Sequence, residues 1–288
     1  MSDSRALLDR ATRRLAATGV DSPRLDARLL WEHAVSAYPL LEGGAKSASL
    51  GRLAFPQGEG GAIALFENFI ARRCLREPLA YITGHKEFWS LDFEVGPGVL
   101  IPRPETETII DQAIALLPDR SAPLKVLDLG TGSGCLLVAF LKEFPNARGL
   151  GIDNSEKARR YAAANIARHG LGERAEIRAG NWHEGIDGTW DAILSNPPYI
   201  PTNELSGLAP EVGFEPVEAL DGGLDGLASI RHVGDAMVRL LAGVGLTEIG
   251  AGQGEDAAAV MTGTGLVVTR TALDLAGIPR VVVTRPAG

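Results

Sequence analysis

A side-chain amide and a phenol ring lie on either side of two prolines in the stretch Asn196-Pro197-Pro198-Tyr199. The apolar run before it, residues 190–194, predicts a buried strand. Proline lacks a backbone N–H and has a fixed φ, so two prolines end the strand in a stiff turn. The residue before a proline is also kept out of the helical region. The pattern therefore predicts a rigid elbow that holds Asn196 and Tyr199 at the end of a strand.

Such an elbow suits the binding of a planar amino group, which occurs in amides and in nucleobases. The lone pair of that nitrogen is delocalised, so the nitrogen is a poor nucleophile. Two acceptors aimed at its hydrogens hold it in place and favour the positive charge that develops on it. The side-chain carbonyl of Asn196 and the backbone carbonyl of Pro197 are the predicted acceptors, and the ring of Tyr199 offers a flat surface. No metal or general base is visible in the sequence, so the electrophile must arrive activated, as a sulfonium methyl group does.

A glycine-rich turn follows another predicted strand in VLDLGTGSGCLL, residues 126–137. Gly130, Gly132 and Gly134 allow a tight turn and a close approach of the backbone to a ligand. The N–H groups at the start of the next helix can hold a carboxylate. Asp153 ends the following strand, where an acid can accept hydrogen bonds from both hydroxyls of a ribose. Dinucleotide-binding dehydrogenases share this spacing, but the strand before the two prolines supplies no His, Lys or Tyr set for hydride chemistry.

The spacing of apolar residues changes along the chain and predicts two domains. Residues 1–77 show helical spacing, with a Gly- and Ser-rich loop predicted over 42–61, and indicate a small helical domain. Residues 78–103 predict a linker that contains a β-hairpin. Its strands are expected over 89–95 and 99–101, on either side of a Gly-Pro-Gly turn.

Residues 104–288 alternate between strand and helix patterns. This alternation predicts an α/β fold with a doubly wound, mainly parallel sheet, in which ligands bind at the carboxyl ends of the strands. The predicted strands are 124–129, 148–152, 175–178, 190–194, 245–249, 266–269 and 281–284. The predicted helices are 135–144, 155–169, 227–241 and 255–261.

Composition restricts the class of protein further. The 288 residues, 45% of them hydrophobic, can bury a sizeable core. The net charge is −8, although residues 1–76 hold 11 Lys and Arg against 8 Asp and Glu. A mildly basic front end therefore precedes an acidic body, which argues against stable nucleic-acid binding.

Neither cysteine nor histidine spacing indicates a disulfide framework or a metal site. Cys74 and Cys135 are far apart, and the five histidines lack ligand spacing. The chain begins without an apolar leader, and no run approaches the roughly 18 apolar residues of a membrane span. We expect a cytoplasmic protein that has no membrane partner and no metal.

In this order, DLGTGSG, GIDNS and NPPY resemble the class I S-adenosylmethionine-dependent methyltransferases that methylate planar nitrogens. Further stretches are similar to the protein N5-glutamine methyltransferases of peptide chain release factors. They are YITGHKEFW (81–89), IPRPETE (101–107), FEP (214–216), EIGAGQG (248–254) and DLAGIPRVV (274–282). The resemblance spans residues 65–285. It implies methyl transfer from S-adenosylmethionine to the glutamine of a release factor's Gly-Gly-Gln motif, with the N-terminal domain helping to dock the factor.

The resemblance also implies roles for individual residues. Asp153 would hold the ribose of the cofactor, and Trp182 would pack beside its adenine. The methionine part of the cofactor would be lined by Gly130, Thr131, Gly132, Ser133 and Gly134. The glutamine amide would be clamped by Asn196, Pro197, Pro198 and Tyr199, and Asn196 would also contact the cofactor.

The segment Arg103-Pro104-Glu105 would close over the active site in a supporting role, by the same resemblance. Proline followed by acidic residues also predicts a helix start there. One departure from the family pattern concerns Asn181, which stands where the family usually has an acid before the tryptophan. A neutral carbonyl oxygen accepts a hydrogen bond from the adenine amino group more weakly than a carboxylate does, so we expect lower cofactor affinity.

Three other functions remain open on the sequence. An adenine-N6 methyltransferase of DNA or RNA shares both motifs, but such an enzyme usually needs a basic target-reading region. A glutamine methyltransferase of a ribosomal protein is poorly separated by the chain itself. A cofactor-binding protein without activity would use the helical domain for docking, but the intact NPPY stretch argues against it.

Overall fold

The structure, a computed structural model, describes residues 2–42 and 59–288. The chain forms two compact units. One contains the described residues up to His85 together with 209–214, and the other contains 86–208 together with 215–288. Most of the loop predicted over 42–61 lies outside the described residues.

Four α-helices form most of the described part of the first unit. They are α1 (Ser2–Ala17), α2 (Pro23–Glu42), α3 (Glu59–Cys74) and α4 (Leu79–Thr83). The proline at the start of α2 lacks the N–H that a first helical turn leaves unbonded, as the sequence predicts. Apolar residues at helical spacing form the core, among them Leu15, Leu30, Phe66 and Phe69, which are fully buried. The N-terminal helical region expected from the sequence is confirmed.

A partly buried ion network joins a distant segment to this helical unit. Arg73 of α3 donates to Asp26 of α2 at 2.7 Å and to Glu211 at 2.9 Å. Arg76 donates to the two carboxylate oxygens of Glu211 at 2.6 and 2.7 Å. Hydrogen bonds from two guanidinium groups thus hold residues 209–214 in the helical unit, although the chain on either side of them belongs to the second unit.

A β-hairpin follows the helices, but it lies earlier in the chain than the sequence predicts. Its strands are β1 (His85–Phe88) and β2 (Leu91–Glu94), which form a two-stranded sheet. The predicted strand over 99–101 is wrong, and the turn is Trp89-Ser90 rather than Gly-Pro-Gly. Both turn residues have positive φ, 55° and 58°, as two-residue hairpin turns require.

Tertiary contacts explain why this turn escaped prediction. Positive φ in such turns is usually signalled by Asn or Gly, and Trp-Ser carries no such signal. The Trp89 backbone N–H donates to Glu107 at 2.8 Å, and its indole N–H donates to Glu143 at 2.7 Å. Hydrogen bonds from Trp89 to carboxylates later in the chain therefore hold the turn in an unfavourable conformation.

A seven-stranded sheet forms the centre of the second unit, in the order β5-β4-β3-β6-β7-β9-β8. The strands are β3 (Lys125–Leu129), β4 (Arg148–Asp153), β5 (Ala175–Ala179), β6 (Trp190–Ser195), β7 (Leu241–Glu248), β8 (Val267–Leu273) and β9 (Pro279–Arg285). The helices of this unit are α5 (Glu107–Leu116), α6 (Cys135–Glu143), α7 (Glu156–Arg168), α8 (Ala228–Leu240) and α9 (Gly254–Gly263). Strands β3 to β7 are parallel, and β9 is antiparallel to both of its neighbours, β7 and β8. The predicted doubly wound, mainly parallel α/β fold is confirmed.

Strand β7 is longer than the 245–249 predicted, and it begins directly after α8. Gly243 and Gly245 interrupt the apolar pattern near its centre, and both allow close packing. A Cβ at Gly243 would lie 2.2 Å from the Asp191 carbonyl oxygen of β6. A Cβ at Gly245 would lie 2.3 Å from the Thr284 hydroxyl oxygen. Neighbouring strands therefore select glycine at both positions, and Gly243 lies before the predicted start of the strand.

Apolar side chains cover both faces of the sheet and form two separate cores. The chain passes from β3 outward to β4 and β5, then returns to β6 on the other side of β3. This change of direction is the topological switch point at which doubly wound sheets bind ligands. Within the described residues, every helix is too short or too polar to span a bilayer.

Candidate active site

The carboxyl ends of β3, β4 and β6 meet at the switch point of the sheet. A cavity of about 450 Å³ opens there. Its wall includes the glycine-rich turn after β3, Asp153 at the end of β4 and Asn196 after β6. The structure thus brings together three features that lie 20 to 70 residues apart in the sequence.

The glycine-rich turn presents its backbone to the cavity. The N–H groups of Gly130 and Thr131 both donate to the Ile152 carbonyl at 2.9 Å, which ties the turn to β4. Gly130 and Gly132 have positive φ, 74° and 56°. A Cβ at Gly130 would meet no atom within 4 Å, so that side of the backbone is open to a ligand.

Four of the five predicted cofactor residues of the turn line the cavity, and Gly134 does not. Thr131 and Ser133 line the cavity, as do Gly130 and Gly132. Gly134 lies behind the wall, with a φ of 80°, and a Cβ there would come within 3.2 Å of the Ala162 Cα. Gly134 therefore allows α6 and α7 to pack closely rather than lining the cavity.

Asp128 supports the turn from below. It is fully buried and accepts a hydrogen bond of 2.6 Å from the Thr131 hydroxyl. Burial raises the pKa of this carboxyl to about 7, and its Oδ1 has no hydrogen-bond partner within the described part of the chain. The acid thus orients Thr131 from outside the cavity wall.

Asp153 connects the turn with the start of α7. Its Oδ2 accepts from the Gly132 N–H at 2.9 Å, and its Oδ1 accepts from the Ser155 N–H at 2.8 Å. Ser155 is the N-cap of α7 and accepts from the Ala158 N–H. Burial raises the pKa of the Asp153 carboxyl. Each carboxylate oxygen retains a lone pair for a further donor on the cavity side.

Trp182 forms another part of the cavity wall, next to Gly180 and Asn181. Its φ is 54°, and its ring stacks on His232 of α8 with a centroid separation of 5.8 Å. Asn181 is exposed, and its amide nitrogen donates to Glu184 at 3.4 Å. That contact uses the amide N–H of Asn181 and leaves its carbonyl oxygen as an acceptor at the wall.

The NPPY elbow places Asn196 and Pro198 in the wall, whereas Pro197 and Tyr199 lie outside it. The amide nitrogen of Asn196 donates to the Thr106 hydroxyl at 3.0 Å. Thr106 ends a short 3₁₀ turn, Pro104–Thr106, that leads into α5. This hydrogen bond leaves the Asn196 side-chain carbonyl oxygen available as an acceptor.

Tyr199 is anchored by its hydroxyl and by its backbone. The hydroxyl donates to Glu248 Oε1 at 3.2 Å, and the backbone carbonyl accepts from the Gln253 side chain at 2.8 Å. Burial raises the pKa of the Tyr199 hydroxyl, and the nearby Glu248 charge adds to this effect. Burial also raises the pKa of the Glu248 carboxyl to about 7.

The segment that contains Arg103, Pro104 and Glu105 is tied to the FEP stretch. Arg103 forms an ion pair with Glu215, whose side chain is 1% exposed. The other Glu215 oxygen accepts from the Ile101 N–H at 2.9 Å. A buried carboxylate thus holds this segment beside the cavity, and Thr106 rather than Glu105 forms part of the wall.

Sequence reasoning missed three residues that support this site, namely Thr106, Glu215 and Glu248. Each lies in a stretch quoted above as characteristic, but its partner comes from elsewhere in the chain. Thr106 and Asn196 are 90 residues apart, and Tyr199 and Glu248 are 49 apart. The signal available in the sequence was a polar residue in each of these stretches without an evident partner nearby in the chain.

Matches to family models define the class of protein to which the chain belongs. The family model described as Methyltransferase small domain matches residues 107–209, which include the glycine-rich turn, Asp153 and the NPPY elbow. The model described as PrmC N-terminal domain matches residues 6–38. The fold and the cavity are those of a Rossmann-like methyltransferase.

Relatives of known name identify the family. A release factor glutamine methyltransferase from Rhodospirillum rubrum is 42% identical over 97% of this chain and 84% of its own length. One from Caulobacter vibrioides is 40% identical over 93% of this chain and 91% of its own length. A solved protein-(glutamine-N5) methyltransferase (release factor-specific) from Alicyclobacillus acidocaldarius is 30% identical, covers 68% of this chain and 100% of its own, and gives a TM-score of 0.40.

The chain belongs to the release factor glutamine methyltransferase family. The resemblance inferred from its motifs is confirmed. It is an S-adenosylmethionine-dependent methyltransferase.

Proposed function

We propose that this enzyme transfers a methyl group from S-adenosylmethionine to the side-chain amide nitrogen of the glutamine in the Gly-Gly-Gln motif of peptide chain release factors. One observation carries the proposal. The oriented amide of Asn196 lies in the same cavity wall as the glycine-rich turn and Asp153. An acceptor for a planar amino group therefore faces the space in which a nucleoside-containing methyl donor fits.

The cofactor roles follow from the wall of the cavity. The backbone of residues 130–133 would hold the methionine part, because the space beside Gly130 is open. Asp153 would accept from the ribose hydroxyls with the lone pairs that its two backbone hydrogen bonds leave free. Trp182 would pack beside the adenine, with the Asn181 carbonyl oxygen as a weak acceptor for its amino group. Gly134 would contribute indirectly, because it allows the close packing of α6 and α7 behind the turn.

The substrate roles belong to the NPPY elbow. When bound, the cofactor supplies an electrophilic methyl group. The Asn196 side-chain oxygen and the Pro197 backbone oxygen would accept hydrogen bonds from the two N–H groups of the glutamine amide and stabilise the charge that develops on its nitrogen. Pro198 would shape the wall beside the glutamine, and Tyr199 would hold the elbow through its buried hydroxyl.

The partner and the division of labour are part of the same proposal. Residues 1–77 would help to dock the release factor, 78–103 would link, and 104–288 would carry the chemistry. The names of the relatives, which specify release factors, support this substrate. A substrate that acts in translation supports a cytoplasmic location, and the net charge of −8 supports the expectation of no stable nucleic-acid binding.

Mass spectrometry of a release factor tests the proposal directly. The factor is incubated with the enzyme and S-adenosylmethionine, and its Gly-Gly-Gln peptide is examined for a mass increase of one methyl group. Asn196→Ala should lower the rate by about a hundredfold or more, since it removes a transition-state acceptor. Cofactor binding, measured separately, should persist in the variant.

Competing substrates make the outcome decisive. Ribosomal proteins and DNA are offered in parallel reactions with the same enzyme. Methylation of either one but not of the release factor would refute the proposed substrate. Cofactor binding without methylation of any of them would point to a binding protein without activity.

A further inference from the structure

The last residue of β7, Glu248, is 1% exposed and lies directly behind the NPPY elbow. Its Oε1 accepts from the Tyr199 hydroxyl. Its carboxyl also faces the hydroxyl of Thr106, which in turn accepts from the Asn196 amide. We propose that Glu248 is a positioning residue that holds both polar side chains of the elbow, Tyr199 directly and Asn196 through Thr106. This inference rests on the proposed function.

The direction of the hydrogen bonds gives Glu248 its effect on Asn196. An ionised carboxylate can only accept, whereas a hydroxyl can donate as well as accept. A Thr106 hydroxyl that donates to Glu248 has its oxygen free to accept from the amide nitrogen of Asn196. The amide oxygen of Asn196 is then the end left for the substrate. The acid thereby determines which end of the amide faces the glutamine.

An unsatisfied oxygen supports this arrangement. Glu248 Oε2 is buried and has no hydrogen-bond partner of ordinary geometry within the part of the chain that the structure describes. A buried acceptor without a donor destabilises the folded state, so such atoms call for an explanation. A donor from Thr106 would satisfy Oε2, and the position of Thr106 between this carboxyl and Asn196 makes it the connecting group.

The charge state of Glu248 depends on groups from several elements. Burial raises its pKa, the Thr106 and Tyr199 hydroxyls and the Arg280 guanidinium of β9 lower it, and the Glu105 charge raises it. Arg280 is itself paired with Asp274. Protonated Glu248 becomes a donor and can reverse the hydrogen bond to Thr106. The elbow should therefore lose activity as the pH falls through the pKa of this carboxyl, about 7.

Steady-state kinetics with the release factor test the inference. Glu248→Gln should lower kcat about tenfold or more. It should also remove the fall of kcat on the acid side of the pH profile, near pH 7, which is called the acid limb. The Kd for S-adenosylmethionine should stay unchanged. Thr106→Val should lower kcat to a similar extent because it breaks the connection to Asn196. Thr106→Ser keeps the hydroxyl and should recover most of the kcat that Thr106→Val loses. Thr106→Val keeps the shape of threonine without its hydroxyl, whereas Thr106→Ser keeps the hydroxyl and loses a methyl group, so the pair decides the matter if Glu248→Gln folds poorly.

The outcomes separate this inference from the function on which it rests. Absence of methyl transfer by the wild-type enzyme refutes the proposed function. Transfer by the wild type together with unchanged kcat in Thr106→Val and in folded Glu248→Gln refutes the positioning role alone. Asp128 also has a pKa of about 7, so its titration would fall in the same pH range as that of Glu248. Asp128→Asn is therefore measured as a further control, at saturating cofactor. If Asp128→Asn removes the acid limb and Glu248→Gln keeps it, the titration belongs to Asp128 and the inference is overturned.

Discussion

At the residue scale, Asp153 combines a structural task with the ligand-binding role proposed for it. Its two oxygens accept from the backbone of Gly132 and of Ser155, which joins the glycine-rich turn to the start of α7. The same carboxylate borders the cavity. One side chain therefore orders the turn and, in the proposed complex, would present its remaining lone pairs to the ribose.

Asp153→Asn tests this double role. The amide nitrogen lacks lone pairs for the backbone N–H groups, and hydrogen bonds to charged groups contribute about 1.5–3 kcal/mol each. The Kd for S-adenosylmethionine should rise about tenfold or more, measured by isothermal titration calorimetry. Glu156→Gln is the matched control, because Glu156 is exposed and pairs with Arg160 outside the cavity. Equal affinities for Asp153→Asn and wild type would contradict the assignment.

At the element scale, the close packing of β4 depends on a residue without a side chain. A Cβ at Gly151 would lie 2.7 Å from the Ile177 Cδ1 of β5 and 2.8 Å from the Thr131 hydroxyl oxygen. Thr131 cannot move freely, because it donates to Asp128. Glycine in the middle of β4 thus allows the turn after β3 to lie against the neighbouring strand.

Gly151→Ala should therefore destabilise the enzyme and weaken cofactor binding together. Overpacking of this kind costs about 1–3 kcal/mol, which urea unfolding would measure. Displacement of Thr131 should also raise the Kd for S-adenosylmethionine. Gly172→Ala serves as the control, since a Cβ there meets no atom within 4 Å. If both variants unfold at the same urea concentration as the wild type, the packing argument is wrong.

At the scale of the whole molecule, the chain order does not follow the compact units. Residues 209–214 come after the NPPY elbow but belong to the helical unit. Glu211 connects them to α3 through Arg73 and to Arg76, two residues past the end of α3. Burial opposes ionisation of Glu211, but the hydrogen bonds from Arg76 and Arg73 lower its pKa from 4.5 to about 2.

The sign of this shift predicts how stability depends on pH. A lowered folded-state pKa stabilises the folded state above the unfolded-state value, and this contribution disappears as the pH falls from about 4.5 through 2. Glu211→Gln should lower the free energy of unfolding by about 2 kcal/mol at pH 7, after allowance for solvent screening, and by less at pH 3.

Thermal unfolding of the full chain at both pH values would measure this difference. Glu204→Gln removes the same charge from an exposed position and should have little effect. A Glu211→Gln effect that is equally large at pH 3 would show that the ion network does not account for it.

Much of the fold and half of the site could be predicted because they depend on short-range rules. Proline geometry ends β6 at the NPPY elbow, and glycines mark the turn after β3. The strand and helix periodicities place β3, β4, β6 and α6 to α8 within a few residues of their observed bounds. These rules act over a few neighbouring residues, so they can be read from the sequence without knowledge of the fold.

The remaining features depend on contacts between distant parts of the chain. The sequence by itself determined the motifs and the sheet class, and it singled out Asn196 as the candidate acceptor. Only the tertiary structure decided that Thr106 contacts Asn196 and Glu248 contacts Tyr199, that Trp89-Ser90 forms the hairpin turn, and that Glu211 joins the helical unit. The physical reason is that a buried polar group, or a residue with an unfavourable φ, is stabilised by whichever partner the fold brings near it. Local spacing does not specify that partner.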